Sequence, residues 1–168
     1  MIWLYRIVSL PFLLFSTPYY LGRMLLRGGY SKGWPQRFGF LKKLPQQSAQ
    51  NLKKRIWIQA VSVGEVLAME PLIQKLNASE HTDIILTTTT STGYREALKR
   101  YGDSILSVGL FPLDLLPCSA LAWRRIKPDL IVLAEGELWP EHIHRAQSQD
   151  VPIFLINGRL SDKTFNRF

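Results

Sequence analysis

The sequence predicts an α/β fold: a Rossmann-like parallel sheet with helices on both faces, preceded by an apolar N-terminal segment. Three observations carry this. Short apolar runs alternate with segments of helical period through residues 56–168. The runs are apolar at consecutive rather than alternate positions, as strands covered on both faces are. Positive charge gathers in the first third of the chain and leaves the rest close to neutral.

The strands are expected at 56–61 (Ile-Trp-Ile-Gln-Ala-Val), 83–88, 105–111, 129–134 and 151–156. Between them, helical spacing covers 65–76, with Val66, Met69, Ile73 and Leu76 on one face. It also covers 93–101, 115–126 (stopped by Pro128) and 139–147, and Ser161 opens a further helix. Alternation of this kind gives a doubly wound sheet through right-handed crossovers. At 168 residues the chain makes one domain of usual size or somewhat more, and 46% hydrophobic residues suffice for a core. A single cysteine, Cys118, excludes a disulfide framework and a four-cysteine zinc site.

The net charge of +8 is unevenly placed. Residues 1–55 hold ten basic residues and no acid, and the first acidic residue is Glu65. This argues against a general nucleic-acid binder and for a local anionic partner. Sixteen mostly apolar residues separate Arg6 from Arg23, short of the roughly 20 needed to span a bilayer. Pro11 and Pro18 are expected to break or kink a helix there. Trp3, Tyr5, Tyr19 and Tyr20 favour a water–lipid interface, and Arg23, Arg27, Lys32, Arg37, Lys42 and Lys43 follow. The composition points to a monotopic anchor on an anionic membrane surface, with the basic stretch on the cytoplasmic side. A spanning helix, a signal peptide and an apolar hairpin on the protein's own core are the alternatives. The expected organisation is therefore an anchoring segment at 1–43, a linker at 44–55 and the globular domain at 56–168.

In a doubly wound sheet, ligands bind beyond the carboxyl ends of the strands. The loop after the first strand carries Ser62-Val-Gly64-Glu65. Ser-x-x-Glu is a capping box, and it equally places a carboxylate beside an open glycine, where it can take a proton from a hydroxyl. Thr87-Thr-Thr89-Thr90-Ser91-Thr92-Gly93 follows the second strand. Its hydroxyls either bind phosphate or sugar at a helix N-terminus or belong to the strand end and a cap. Neither a P-loop nor a Gly-x-Gly-x-x-Gly occurs. Glu135-Gly136-Glu137-Leu-Trp-Pro140 follows the fourth strand, and Asn157-Gly-Arg159-Leu-Ser161 the fifth. The first pairs two carboxylates at a strand end, and the second offers phosphate- or sugar-binding groups; a solvated loop and a helix cap are their plainer readings. His142 and His144, two apart on a helix, do not converge on a metal.

These motifs, with Phe111-Pro-Leu-Asp114 and Trp34-Pro-Gln-Arg37-Phe-Gly39, stand in the order found in the 3-deoxy-D-manno-octulosonic acid (Kdo) transferases, and the chain resembles that family over nearly its whole length. The resemblance implies the N-terminal, acceptor-binding half of a GT-B glycosyltransferase of lipopolysaccharide synthesis at the cytoplasmic face of the inner membrane. A C-terminal half, absent from these residues, would bind the donor CMP-Kdo. It implies inverting transfer of Kdo to the lipid A precursor, with Glu65 as catalytic base and no metal or further cofactor. Ser62, Gly64, Thr89, Thr90, Ser91, Thr92, Glu135, Glu137, Asn157 and Arg159 would line the acceptor site, and Arg23, Arg27 and Lys32 would face the lipid phosphates. Gln59 departs from the family's frequent His, and Gly136 and Glu141 from a hydroxyl residue and an Asn. Another membrane-surface nucleotide-sugar transferase, or a non-catalytic lipid-binding module of the same fold, is the alternative.

Overall fold

The computed structural model describes residues 2–27, 33–46, 53–136 and 138–158. Helices α1 (Ile2–Arg27) and α2 (Trp34–Arg37) precede the sheet domain. There follow β1 (Lys54–Ala60), α3 (Val63–Ala68), α4 (Glu70–Asn77), β2 (Thr82–Thr88), α5 (Ser91–Tyr101) and β3 (Ser107–Leu110). After these come α6 (Leu116–Ile126), β4 (Leu130–Ala134), α7 (Pro140–Ser148) and β5 (Ile153–Ile156). The helix expected from Ser161 lies outside the described residues.

The five strands are parallel in the order β3-β2-β1-β4-β5. The chain moves outward from β1 through β2 to β3, then returns to the other side of β1 for β4 and β5. The reversal leaves a crevice between the carboxyl ends of β1 and β4, where such folds hold ligands.

Strand alternation divides the core in two. Ile56, Ile58, Ala60, Ile84, Leu86, Val132 and Ala134 face α3, α4 and α5, and meet Val66, Met69, Ile73, Ala97 and Tyr101. Trp57, Ile85, Ile131 and Leu133 face the other way, onto Ala122, Trp123 and Ile126 of α6 and Ala146 of α7. Strands β1, β2 and β4 thus bury both faces, which accounts for their unbroken apolar runs, whereas β5 at the sheet edge leaves Phe154 and Leu155 exposed.

Three details differ from the sequence expectation. The helix expected at 65–76 is two helices meeting at Met69, because Pro71 has no N–H for the ladder and sits instead in the first turn of α4, where none is needed. The expected inner face survives the break: Val66, Met69 and Ile73 are buried. Helix α1 runs for 26 residues through Pro11 and Pro18. The two prolines are seven residues apart, so they fall on nearly one face, and both are exposed, where water can serve the carbonyls they leave free. Among the described residues no helix is long and apolar enough to cross a membrane.

The third difference concerns residues 33–46, which pack on the domain. Leu41 and Leu44 are buried in the α6–α7 side of the core. Gln36 Oε1 accepts from the Leu110 N–H at 2.6 Å, and Arg125 donates to the Leu41 carbonyl at 2.7 Å. Gly39 has φ +87° and lies so close under α6 that a Cβ there would come within 2.4 Å of the Cys118 carbonyl. The stretch that counts toward the basic N-terminal third is therefore partly body, and the segment expected as linker contains a core residue, Leu44, and the start of β1.

Candidate active site at the carboxyl edge of the sheet

Glu65 lies in the first turn of α3, directly beyond β1, with 8% of its surface exposed. Its Oε2 accepts from the Val61 N–H at 2.7 Å and its Oε1 from the Ser62 hydroxyl at 2.9 Å. The capping box that Ser62-x-x-Glu65 suggests is not formed: Glu65 accepts from the residue before the N-cap. Ser62 spends its hydroxyl on the carboxylate and makes no side-chain cap bond to the helix. Each carboxylate oxygen keeps a further lone pair. Gly64 beside it is exposed, with nothing nearer to a hypothetical Cβ than the Ser62 hydroxyl oxygen at 3.9 Å.

The loop after β2 is bound to the same turn. Thr90 caps α5, accepting from the Gly93 N–H at 3.1 Å, and its hydroxyl and N–H both reach the Val61 carbonyl at 3.0 Å. Thr92 donates to the Thr90 hydroxyl at 3.3 Å and is otherwise exposed. Gly93 is required here, since a Cβ would meet Thr90 Oγ1 at 2.9 Å and the Val61 carbonyl at 3.3 Å. Thr89 is half-buried, and its hydroxyl accepts from Gln59 Nε2 at 2.9 Å. Ser91 is half-buried in the first turn of α5.

Beyond β4 and β5 a second group forms. Glu135 and Asn157 end their strands in the left-handed region, at φ +59° and +54°. Asn157 Nδ2 lies 3.4 Å from Glu135 Oε1. Two non-glycine residues held side by side in this conformation mark a constrained edge of the crevice. Gly136 is open, with nothing within 4 Å of a hypothetical Cβ. Glu137, Arg159, Ser161 and Lys32 lie outside the described residues, and the side chains of Arg23 and Arg27 are not described.

A layer of buried polar groups beneath this edge is the part that sequence reasoning missed. Asp114 accepts from the Glu141 and His142 N–H groups at 3.1 and 3.0 Å, and so caps α7 from a distant loop. The Tyr5 hydroxyl of α1 donates to Asp114 Oδ2 at 2.7 Å. Arg6 grips fully buried Glu141 through two bonds of 2.9 and 3.0 Å, and Arg145 adds a third contact at 3.5 Å. Burial holds the Asp114 carboxyl above the usual carboxylate range despite these donors, and burial with the nearby Asp114 pushes the Tyr5 phenol well up. His142 is pushed down to about 3, by burial first and then by the Arg145 charge. It is therefore neutral, accepts the Trp123 indole N–H on Nδ1 at 3.1 Å, and carries its proton on Nε2, which has no hydrogen-bond partner. Buried Arg37 donates to the Phe111 carbonyl at 3.0 Å and also to the Thr89 carbonyl, tying α2 to the β2 loop. The available signals were the motif positions of Arg37 and Asp114 and the unusual acid at 141; nothing in the spacing paired Arg6 with Glu141. Burial also pushes the Cys118 thiol up, away from the reactive thiolate.

Residues 32–168 match the family described as 3-deoxy-D-manno-octulosonic-acid transferase (kdotransferase). A bifunctional glycosyltransferase/methyltransferase of Fusobacterium nucleatum subsp. nucleatum is 36% identical over 132 residues, covering 77% of this chain and 21% of that protein. A 3-deoxy-D-manno-octulosonic acid transferase of Haemophilus influenzae is 35% identical over 141 residues, 83% of this chain and 32% of that protein. One from Chlamydia muridarum is 30% identical over 155 residues, 91% of this chain and 35% of that protein. The chain thus spans 21–35% of the length of these relatives. Among solved structures, a UDP-N-acetylglucosamine 2-epimerase overlays loosely, with a TM-score of 0.46 and 15% identity over 69% of this chain and 35% of that one.

Proposed function

Because the chain belongs to the 3-deoxy-D-manno-octulosonic-acid transferase family, we propose that it is the acceptor-binding part of an inverting glycosyltransferase. The transferase moves Kdo from CMP-Kdo to the lipid A precursor. Glu65 is the base. It takes the proton of an acceptor hydroxyl as that oxygen attacks the anomeric carbon of Kdo, and the bond from that carbon to the CMP phosphate breaks. The observation that carries this reading is the placement of Glu65: a carboxylate at the ligand-binding edge of the sheet, held by two donors and flanked by open Gly64. Ser62, Thr89, Thr90, Ser91 and Thr92 on one side, and Glu135, Glu137, Asn157 and Arg159 on the other, would hold the sugar. The donor would be held by the part of the transferase beyond this chain.

The membrane surface is the proposed setting, at the cytoplasmic face of the inner membrane. Helix α1 exposes Trp3, Leu4, Ile7, Val8, Phe15 and Tyr19, and no acid occurs before Glu65. Such a surface suits an interface of anionic lipid. Sedimentation with phosphatidylglycerol vesicles, with and without the tetraacylated lipid A precursor, tests the acceptor reading. The chain is expected to bind the precursor-containing vesicles more tightly, and Glu135→Ala with Asn157→Ala to abolish the difference. Equal binding to both vesicles by the unsubstituted chain would refute it.

A further inference from the structure

Thr89 is reached by a line of hydrogen bonds that begins in the core. The Trp57 indole N–H donates to Thr87 Oγ1 at 2.8 Å, Thr87 Oγ1 lies 2.8 Å from Gln59 Oε1, and Gln59 Nε2 donates to Thr89 Oγ1 at 2.9 Å. Trp57, Thr87 and Gln59 are all buried at 1% exposure or less, and only Thr89, at the carboxyl edge of β2, is half-open.

The chemistry of the first member gives the line a direction. An indole N–H can only donate. Thr87 therefore receives a proton and passes its own onward. The Ile58 carbonyl is one taker at 3.3 Å, and Gln59 Oε1 is the other at 2.8 Å, the usual length of an O–H···O bond. With its oxygen so used, Gln59 has only N–H groups left for Thr89. Thr89 accepts on a lone pair, and its own proton must point away from Gln59. A surface threonine otherwise rotates freely; this one has its proton turned outward, where it can donate.

We propose that Gln59 is a positioning residue that presents the Thr89 hydroxyl as an oriented hydrogen-bond donor to an acceptor-only oxygen of the sugar-lipid, of the phosphoryl or ring-oxygen kind. The assignment rests on the acceptor reading given above. It gives the β2 loop a preference, because the outward-turned proton meets an oxygen that can only accept without any rearrangement of the line. The requirement at position 59 is a side chain that accepts at one end and donates at the other. Glutamine meets it, and so does neutral histidine, whereas glutamate cannot.

Two measurements on the full chain decide it. The first is vesicle binding with the tetraacylated precursor. Gln59→Glu turns the Thr89 proton inward and is expected to weaken binding about tenfold, the worth of one hydrogen bond. Gln59→His is expected to stay within about threefold of the original, a donor–acceptor pair being kept. Unchanged binding by Gln59→Glu, or equal loss in both variants, overturns the proposal. The second needs no ligand and no buried charge. Thr89→Val removes the acceptor of the Gln59 amide, so NMR should show that amide exchanging faster while the Trp57 indole proton is unaffected. An unchanged Gln59 amide means that the carboxamide is turned the other way, which also overturns the proposal. Absence of binding by the unsubstituted chain would refute the acceptor reading, and the amide exchange would still report the direction of the line.

Discussion

Replacing Glu65 by Gln separates proton transfer from architecture, and the structure sets the size of each effect. The carboxylate takes two bonds, from the Val61 N–H at 2.7 Å and from the Ser62 hydroxyl at 2.9 Å. A glutamine keeps both in altered form: its oxygen accepts from Val61, and Ser62 rotates its hydroxyl to accept from the new amide. Two charge-assisted bonds become neutral ones, a loss of about 1–2 kcal/mol once the easier burial of an uncharged group is counted. For a chain of this size each kcal/mol lowers the unfolding midpoint by about 2–4 °C. Loss of a general base slows turnover by about 10²–10⁴-fold, which is roughly 3–5 kcal/mol of barrier. The assay is Kdo transfer to the lipid A precursor by the whole transferase, with thermal unfolding by circular dichroism on the same preparation. The expected result is a collapse in turnover with a midpoint only a few degrees lower. Near-normal turnover beside that small shift would show that Glu65 only braces the turn at Val61 and Ser62, and the base would then be sought at Glu135 or Glu137.

Other perturbations test the frame around the site. Leu86→Ala empties a fully buried position in the middle of β2 and should cost about 2–5 kcal/mol by denaturant unfolding. A cost below 1 kcal/mol would contradict the packing. Gly39→Ala forces a side chain into a left-handed position facing the Cys118 carbonyl at 2.4 Å, and should destabilise by at least about 1–3 kcal/mol. His142 is neutral down to about pH 3 when folded but titrates near its ordinary value when unfolded. The unfolded state therefore binds the extra proton between those limits. Stability should fall as pH drops through that window, by up to about 1.4 kcal/mol per unit. His142→Gln should flatten this acid limb and leave stability above pH 7 little changed, and identical slopes would refute the assignment. Tyr5→Phe removes the 2.7 Å bond to Asp114 and should raise amide exchange in α1 and at the start of α7 together; exchange confined to α1 would show that the two are not joined.

The sheet was readable because its inner strands β1, β2 and β4 bury both faces. Runs such as Ile56-Trp-Ile and Leu130-Ile-Val-Leu are apolar on successive residues for that reason, and the glycine and hydroxyl residues after them mark the turns. The candidate base was readable for a local reason, since Ser62 and Glu65 bind within one turn. Contacts across long separations left no such trace. Arg6 meets Glu141 across 135 positions and Tyr5 meets Asp114 across 109, and no period or motif encodes either pairing. The division of α3 from α4 was written in Pro71, but the apolar face of Val66, Met69 and Ile73 continues across the junction and masks it. Leu41 and Leu44 sit within a basic, loop-like stretch, so their burial follows from the groove beside α6 that receives them and not from their own neighbours in sequence.

The pairing of Arg6 with Glu141 also fixes an order in which this sequence can drift. Glu141 has no access to water, while Arg6 keeps 17% of its side chain exposed. Mutating Arg6 first leaves a desolvated carboxylate with only the 3.5 Å contact from Arg145, whereas neutralising Glu141 first merely frees an arginine at the surface. The viable path therefore runs through position 141 before position 6. With a neutral residue at position 141, no buried acid would demand a cation at position 6. One acid at 141 thus ties the first turns of the chain to α7.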